Sequence, residues 1–469
     1  MKASTDHTAK VEYVRNQIKG YYARKEQVRI YHGSTNSTRP FQSGLQRSVD
    51  VSQLNQIIEI NTNEGYALVE PNVPLDTLVA ATLAQGLVPP MVAEFPGITV
   101  GGAVQGGSGE SSSCRWGLFH DSCLEYEIVL GNGDVVVTNR KQHADLFWGL
   151  ACAYGSLGVM TLLKVRLIPA STYVRVRYQR VHSYEEAIRM VQSAVASTVD
   201  FVDGILFASD DGVVITGVYT NNGTLPVAQF HRATDDWFYL HVAQTVRKQD
   251  GFEELVPLQD YLFRYDRGGF WVAKYAFEGR LPFTRFTRWL FAGLLKTRTL
   301  YKALQGSNYS YRFMAQDICL PEENVVAFLK FAEQQYHIYP LWLCPIKVGS
   351  LDKLSPNTLA TKMVINVGIW GRMKPAAGSF KTRNRQLEAA VRGFGGRKVL
   401  YAHSYYTEDE FWEIYARKPY EVLRKKYHAS RVFPDVYRKT MTRPPAFPPT
   451  KWRAIRALVG SPYKKRRAI

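Results

Sequence analysis

Cysteine is scarce in this chain. Five occur in 469 residues (Cys114, Cys123, Cys152, Cys319 and Cys344), an odd number with no CxxC pair, so neither a disulfide framework nor a metal site is signalled. A reducing compartment is expected. Acidic residues are in deficit as well: 41 Asp and Glu face 59 Lys and Arg, and the net charge of +18 implies attraction to phosphate, anionic lipid or an acidic cofactor. The opening MKASTDHTAK is polar and has no apolar signal core, so secretion is not expected. No GK[ST] triplet exists, which excludes a Walker loop. The longest uncharged run, Leu146–Leu163, is interrupted by Gly149, Gly155 and Gly158 and reads as a buried loop entering a strand rather than a membrane span.

Apolar material is plentiful, at 46% hydrophobic and 13% aromatic residues, which excludes disorder and supplies a large interior. Residues 8–22 put Val11, Val14, Ile18 and Tyr21 on one helical face behind Thr8 as N-cap. The strand-like VRIYH runs into the small-polar HGSTNSTR (residues 32–39), IIEIN and YALVEP predict a β-hairpin across TNEG, and Pro74 and Gly86 bracket a helix. A glycine- and serine-rich loop follows, then a second predicted hairpin (EYEIVL, GNGD, VVVT) and GSLGVMTLLKVRLIP. From about residue 175 the texture is more aromatic and more basic, with strands near 173–181 and 213–219 and helices near 184–197, 284–304 and 321–335.

The densest signal is TVGGAVQGGSGESSSCRWG, residues 99–117, where nearly every side chain is small, hydroxylated or absent. Glycines permit positive φ and remove Cβ, so successive N–H groups can form a nest for a pyrophosphate, with Ser and Thr hydroxyls as further donors. A Rossmann fingerprint would join a strand directly to a helix, whereas a hairpin follows here. With HGSTNSTR it makes two phosphate-type loops.

That order resembles the flavin-binding (PCMH-type) domain of the vanillyl-alcohol oxidase superfamily. TVGG with GESSS and GLF, YEIVLGNGD, DLFW, GSLGV with RLIPA, the VPL and Tyr261 phrase, YPLWLCP and LYAHSYYTEDEFWEIY make residues 10–437 similar to the 24-dehydrocholesterol reductase and Diminuto family of sterol reductases. The resemblance implies an α+β fold with a two-subdomain FAD-binding domain over 1–175 and a middle α+β substrate cap over 176–400. It also implies a segment 401–440 packing on the interface of both; the basic, proline-containing tail over 441–469 is additional to the resemblance. Thr99, Val100, Gly101, Gly102, Gln105, Gly106, Gly109, Ser111 and Ser112 are implied to contact the FAD pyrophosphate and isoalloxazine, and Val159 the adenosine end. Thr35 stands where covalent members carry a flavin-linked histidine, so the FAD is expected to be held non-covalently, with NADPH as electron donor.

The sequence departs from the reductases in VPLQDYLFRYDRGGFW, residues 256–271, where Phe263 and Tyr265 occupy histidine positions, and in Val272, which occupies a glutamate position. AEFPGI precedes TVGG where the reductases carry a pair of acidic residues. Reducing an isolated alkene needs hydride at one carbon and a proton at the other from an acid poised in a closed site. Without those histidines, Tyr261 or Tyr265 is the expected proton donor, with Arg264 or Arg267 lowering a tyrosine pKa by Coulomb attraction. Core packing with a satisfied hydroxyl is the alternative for both tyrosines.

His120 and His403 are expected to be structural, and Cys114 and Cys344 to pack as small hydrophobes. Residues 283–304 set Phe283, Phe286, Leu290 and Leu294 on one face among Arg285, Arg288, Lys296, Arg298 and Lys302, a pattern for a helix lying on an anionic membrane. KKRR at 464–467 reads as a solvated end, and nucleic-acid binding is not expected. Three functions stay open: an NADPH-dependent ene reductase of a sterol-like or isoprenoid molecule, a flavin oxidase or dehydrogenase of a polyketide or terpenoid intermediate using oxygen, and a flavin-free sterol-binding scaffold. Location inside the cell is expected, in the cytoplasm or peripherally on the cytoplasmic face of the endoplasmic reticulum.

Overall fold

Both expected hairpins form, and they share a sheet. The computed structural model describes residues 5–33, 35–39, 47–278, 281–349, 353–373 and 379–445, with 448, 453 and 456. Strands β1 (Arg29–Tyr31) and β2 (Ser48–Asp50) pair in parallel, and β5 (Leu87–Val88) pairs with β9 (Ile168–Pro169). Strands β3 (Ile57–Asn61), β4 (Tyr66–Val69), β6 (Cys123–Val129), β7 (Val135–Asn139) and β8 (Val159–Arg166) form an antiparallel sheet of order β3-β4-β8-β6-β7. β8 ends the uncharged run and is the central strand, buried continuously from Val159 to Leu163, which explains an apolar stretch without alternation. Among the described residues no helix is long and apolar enough to cross a membrane.

The middle of the chain folds as a second antiparallel sheet. Its strands are β10 (Tyr173–Val181), β11 (Phe201–Leu206), β12 (Gly212–Thr220), β13 (Glu253–Pro257), β14 (Phe313–Pro321), β15 (Leu341–Ile346), β16 (Val364–Arg372) and β17 (Arg397–Lys398). They run in the order β13-β10-β12-β11-β15-β16-β14-β17. Because strand side chains alternate, the sheet has two apolar faces. Val202, Leu343, Ile365 and Val367 pack under the helices Tyr184–Ala196, Val325–Tyr336 and Phe380–Gly393. Phe201, Ile205, Trp342 and Cys344 belong instead to the core shared with the first sheet. The cap helix Tyr184–Ala196 is set by its pattern: Tyr184, Ala187, Ile188, Val191 and Ala194 are buried at helical spacing, and the Ser183 side chain accepts the Glu186 N–H as cap.

Several expectations shift. The first helix spans Thr5–Ala23, so Thr8 lies inside it rather than capping it. β10 begins at Tyr173, so a boundary at 175 cuts through the first strand of the cap. The helix expected over 284–304 breaks into Arg285–Leu290, a short Ala292–Leu294 turn and Thr297–Ser307. Part of the glycine-rich loop is itself helical, Val100–Gly106, because Thr99 caps it and Val100, Ala103 and Val104 anchor it in the core. The segment after 401 returns to the first domain: Tyr420 donates to Ser156 Oγ at 2.8 Å and Arg424 Nη1 to the Ser156 carbonyl at 2.6 Å. The KKRR end lies outside the described residues.

Candidate active site

The loop Thr35–Arg39 is fixed by groups from distant segments. Ser37 Oγ donates to the Tyr401 carbonyl at 2.6 Å, and Gln305, on the cap helix Thr297–Ser307, donates to the Ser37 carbonyl and at 3.0 Å to that of Arg39. Facing it is the helix Val100–Gly106, whose Thr99 Oγ1 accepts the Gly102 N–H at 3.2 Å. Gln105 Oε1 accepts the Gly155 N–H at 2.7 Å, which holds the turn before β8 against this helix. Between these segments and the cap lies a cavity of about 1680 Å³. Pockets for a single small molecule run to roughly 300–1,000 Å³, so there is room for a cofactor and a substrate together.

Of the residues singled out from sequence, Thr35, Thr99, Gly101 and Gly102 line this cavity, as do Gln105, Gly106, Gly109 and Val159. Val100, Ser111 and Ser112 do not: Val100 is core, and after Gly109 the backbone passes under β11, where the Val202 N–H donates to the Ser111 carbonyl at 2.9 Å. That turn carries both serines away from the cavity.

Tyr261, Arg264 and Tyr265 lie behind the same wall in a fully buried network. Arg264 Nη2 is 2.7 Å from Glu110 Oε1 and 3.0 Å from Asp203 Oδ2. Tyr265 OH and Trp342 Nε1 donate to the same Asp203 oxygen at 2.8 and 3.1 Å, and Tyr261 OH is 3.5 Å from Ser111 Oγ. The expectation that Arg264 lowers a tyrosine pKa is corrected here. Burial, which opposes the phenolate, outweighs the guanidinium and pushes both Tyr261 and Tyr265 well above the usual tyrosine value. Neither tyrosine borders the cavity, so a proton passed directly from them to a substrate is not supported; the network ties the glycine-rich segment to the cap. Arg267 is likewise spent on carbonyls, donating to that of Asp235 at 2.8 Å and that of Ala233 at 3.0 Å.

The cavity has two kinds of lining. At one end Arg29, Arg39 and Lys439 converge, each donating to a backbone carbonyl: Arg438 at 3.1 Å, Lys439 at 2.7 Å and Gly155 at 2.9 Å. Among the described residues none of the three has a carboxylate partner. Burial, then repulsion from Arg443 and Arg39, lowers Arg29 to about 10, and burial, then repulsion from Arg29, Arg424 and Arg39, pushes Lys439 well below the usual lysine value. Desolvated like charges are costly without an anion. His32 beside them is lowered to about 4 by burial and by Lys439, and its Nδ1 has no partner; the same holds for Gln105 Nε2. A Cβ on Gly106 would meet nothing within 4 Å, so that position opens onto the cradle. Cations without a carboxylate partner, orphaned polar atoms and an open glycine surface fit a dinucleotide diphosphate such as that of FAD.

The other end is aromatic. Phe270 packs 4.3 Å from Trp370 and 5.7 Å from Phe95 (ring centroids), and Trp342 lies 5.7 Å from Trp370. Two carboxyls interrupt this apolar wall, Glu94 and Asp317. Sequence reasoning noted Phe270 as a retained cap-motif position and AEFPGI, which holds Glu94 and Phe95, as a departure, but assigned none of them a role, and it passed over Trp370, Asp317 and Lys439. The available signals were a lone glutamate among Val92, Ala93 and Phe95 just ahead of TVGG, and a lone aspartate inside the apolar strand FMAQDICLP.

Residues 8–139 match the FAD binding domain family. With the cradle above, this makes the chain an FAD-dependent oxidoreductase. It is 30% identical to the Delta(24)-sterol reductase of Homo sapiens over 401 residues, covering 82% of this chain and 76% of the human protein. The Delta(24)-sterol reductase of Arabidopsis thaliana is also 30% identical, over 84% of this chain and 76% of its own, and the Caenorhabditis elegans homolog is 24% identical over 93% and 88%. The chain belongs to the delta(24)-sterol reductase family.

Proposed function

We propose that this protein reduces a carbon–carbon double bond of a hydrophobic sterol-like or isoprenoid molecule, with non-covalently held FAD and with NADPH as electron donor. The observation that carries this reading is that one cavity joins the cationic, glycine-lined cradle to the chamber of Phe95, Phe270, Trp342 and Trp370. Bound FAD supplies hydride transfer from the nicotinamide to the substrate carbon. The chain's own residues hold the diphosphate (Arg29, Arg39, Lys439 and the 99–109 backbone), exclude water with aromatic rings, and keep acidic protons at the chamber wall. Incubation with NADPH and a sterol bearing a delta(24) double bond should yield a product heavier by two hydrogens in mass spectrometry; unchanged sterol beside consumed NADPH would refute it. Oxidation of a polyketide or terpenoid with oxygen drew on Phe263 and Tyr265 standing at histidine positions, and neither borders the cavity.

We further infer peripheral contact with an anionic membrane. Phe286, Trp289, Leu290 and Leu294 are 65%, 47%, 56% and 49% exposed, with Arg285, Lys296 and Lys302 exposed around them. Two members of the expected surface differ: Phe283 packs on Trp237 and Phe277, and Arg288 is buried against Asp236 at 2.7 Å. The next helix, Thr297–Ser307, contributes Leu300, Tyr301 and Leu304 to the cavity, so lipid contact and substrate entry would be neighbours. Cysteines without disulfide bonds among the described residues suit a reducing compartment, and the protein is expected in the cytoplasm or on the cytoplasmic face of the endoplasmic reticulum. Sedimentation with phosphatidylserine vesicles should fall several-fold in a Phe286→Asp, Leu290→Asp variant, and equal sedimentation would remove the surface.

A further inference from the structure

Among the acids of the cavity, Glu94 differs in having an uncommitted oxygen. It sits on the loop leading to Thr99, is 9% exposed, lines the cavity beside Phe95, and its Oε2 has no hydrogen-bond partner. Three other protic groups of the same cavity are engaged. Tyr401 OH donates to Asp317 at 2.6 Å, Tyr154 OH to the Gly106 carbonyl at 3.2 Å and Lys439 Nζ to the Gly155 carbonyl at 2.9 Å. Asp317 is held as an acceptor by Tyr401 and, at 2.8 Å, by Asn366 Nδ2. The charged groups acting on Glu94 are Glu110, Asp317 and Arg264. Burial raises its carboxyl to about 8, with Glu110 and Asp317 adding to the rise and its own backbone hydrogen bond and Arg264 opposing it. At neutral pH it carries a proton, while Asp317, raised to about 6 by burial, is largely ionised. A pair of carboxyls whose environments push their titrations apart is a recurring signature of an assigned acid.

We propose that Glu94 is the acid that protonates the substrate alkene and that Asp317 is a positioning residue whose charge, after that of Glu110, favours the protonated Glu94 carboxyl, an assignment resting on the reductase reading above. Hydride from the NADPH-reduced flavin forms one new C–H bond, the carboxyl proton of Glu94 forms the other, the π bond is consumed, and the Glu94 carboxylate regains its proton from solvent.

The test uses the FAD-loaded protein under anaerobic conditions, in two observed stages. NADPH first bleaches the flavin, and a delta(24) sterol dispersed in detergent then restores its colour. Glu94→Gln should be bleached at a rate within about twofold of the unmodified protein but recolour about 10²-fold or more slowly, with Glu94→Asp recovering part of the loss. In the unmodified protein recolouring should be constant below about pH 8 and decline above it. Asp317→Asn should move that decline to lower pH, because a charge that favours the protonated form is gone, and Glu94→Gln should abolish it. Recolouring of Glu94→Gln at the original rate, or equal slowing of both stages, would overturn the assignment alone. Failure of the unmodified protein to recolour with sterol would overturn the reductase reading and this assignment with it.

Discussion

The cofactor wall and the cap wall of the cavity are built differently. The first draws on two short segments, 29–39 and 99–109, and on positions where backbone, small side chains or fixed cations face the ligand. The second assembles Phe270, Asp317, Trp342 and Trp370 from a loop and from β14, β15 and β16, brought together by sheet register: Trp342 and Asp317 both pair with Gly368 of β16. Gly368 also makes room for the chamber, since a Cβ there would lie 2.6 Å from the Trp370 ring. A backbone cradle tolerates little change along a contiguous stretch, whereas a chamber of side chains can be reshaped one position at a time. One scaffold can thus keep its flavin while its substrate changes.

The sharpest way to break this contrast is at the cradle. Gly106→Phe should leave the purified protein folded but colourless, with flavin content down at least tenfold, because the ring enters the open space that Gly106 leaves. Trp370→Phe on the opposite wall should keep stoichiometric flavin and alter sterol affinity instead. Absorbance at the flavin band checks both.

A smaller effect is expected at the joint between the walls. Arg264→Met strands Glu110 and Asp203 without their shared cation in a fully buried site, which should cost about 3–5 kcal/mol in chemical unfolding. Adding Glu110→Gln and Asp203→Asn should restore part of it.

The smallest lies outside the cavity. His7 is 2.8 Å from Glu70 and 3.1 Å from Glu127, and its pKa rises to about 9: burial works against the charge, but hydrogen bonds from the ring to Glu127 and Glu70 prevail. Its stabilising contribution is therefore complete below the unfolded value of 6.5 and is lost as pH climbs through about 9. Thermal midpoints should decline over that window, and His7→Gln should flatten the decline.

This contrast also explains what the sequence made legible. TVGGAVQGG could be read as a cradle because its chemistry is contiguous, and the hairpins around it followed from alternation and turn residues. Its partial helicity was hidden, since Thr99 and three buried apolar residues overrule the glycines. Ser111 was misjudged because a hydroxyl suits a phosphate and a buried network equally well, and Ser112 because the turn after Gly109 carries it away from the cavity. Tyr261, Arg264 and Tyr265 share that ambiguity: the residue types of a catalytic site are also those of a buried ion pair, and only the positions of Glu110 and Asp203 decide between them. Trp342, Trp370 and Asp317 carried no local motif, because their meeting depends on strand register over long separations.

The most direct test is the visible spectrum of the purified protein without oxygen, followed as NADPH and then a delta(24) sterol are added. The account predicts an oxidised-flavin band that NADPH bleaches and the sterol restores. A flavin band indifferent to NADPH would contradict the claim that this cavity passes electrons from nicotinamide to an alkene.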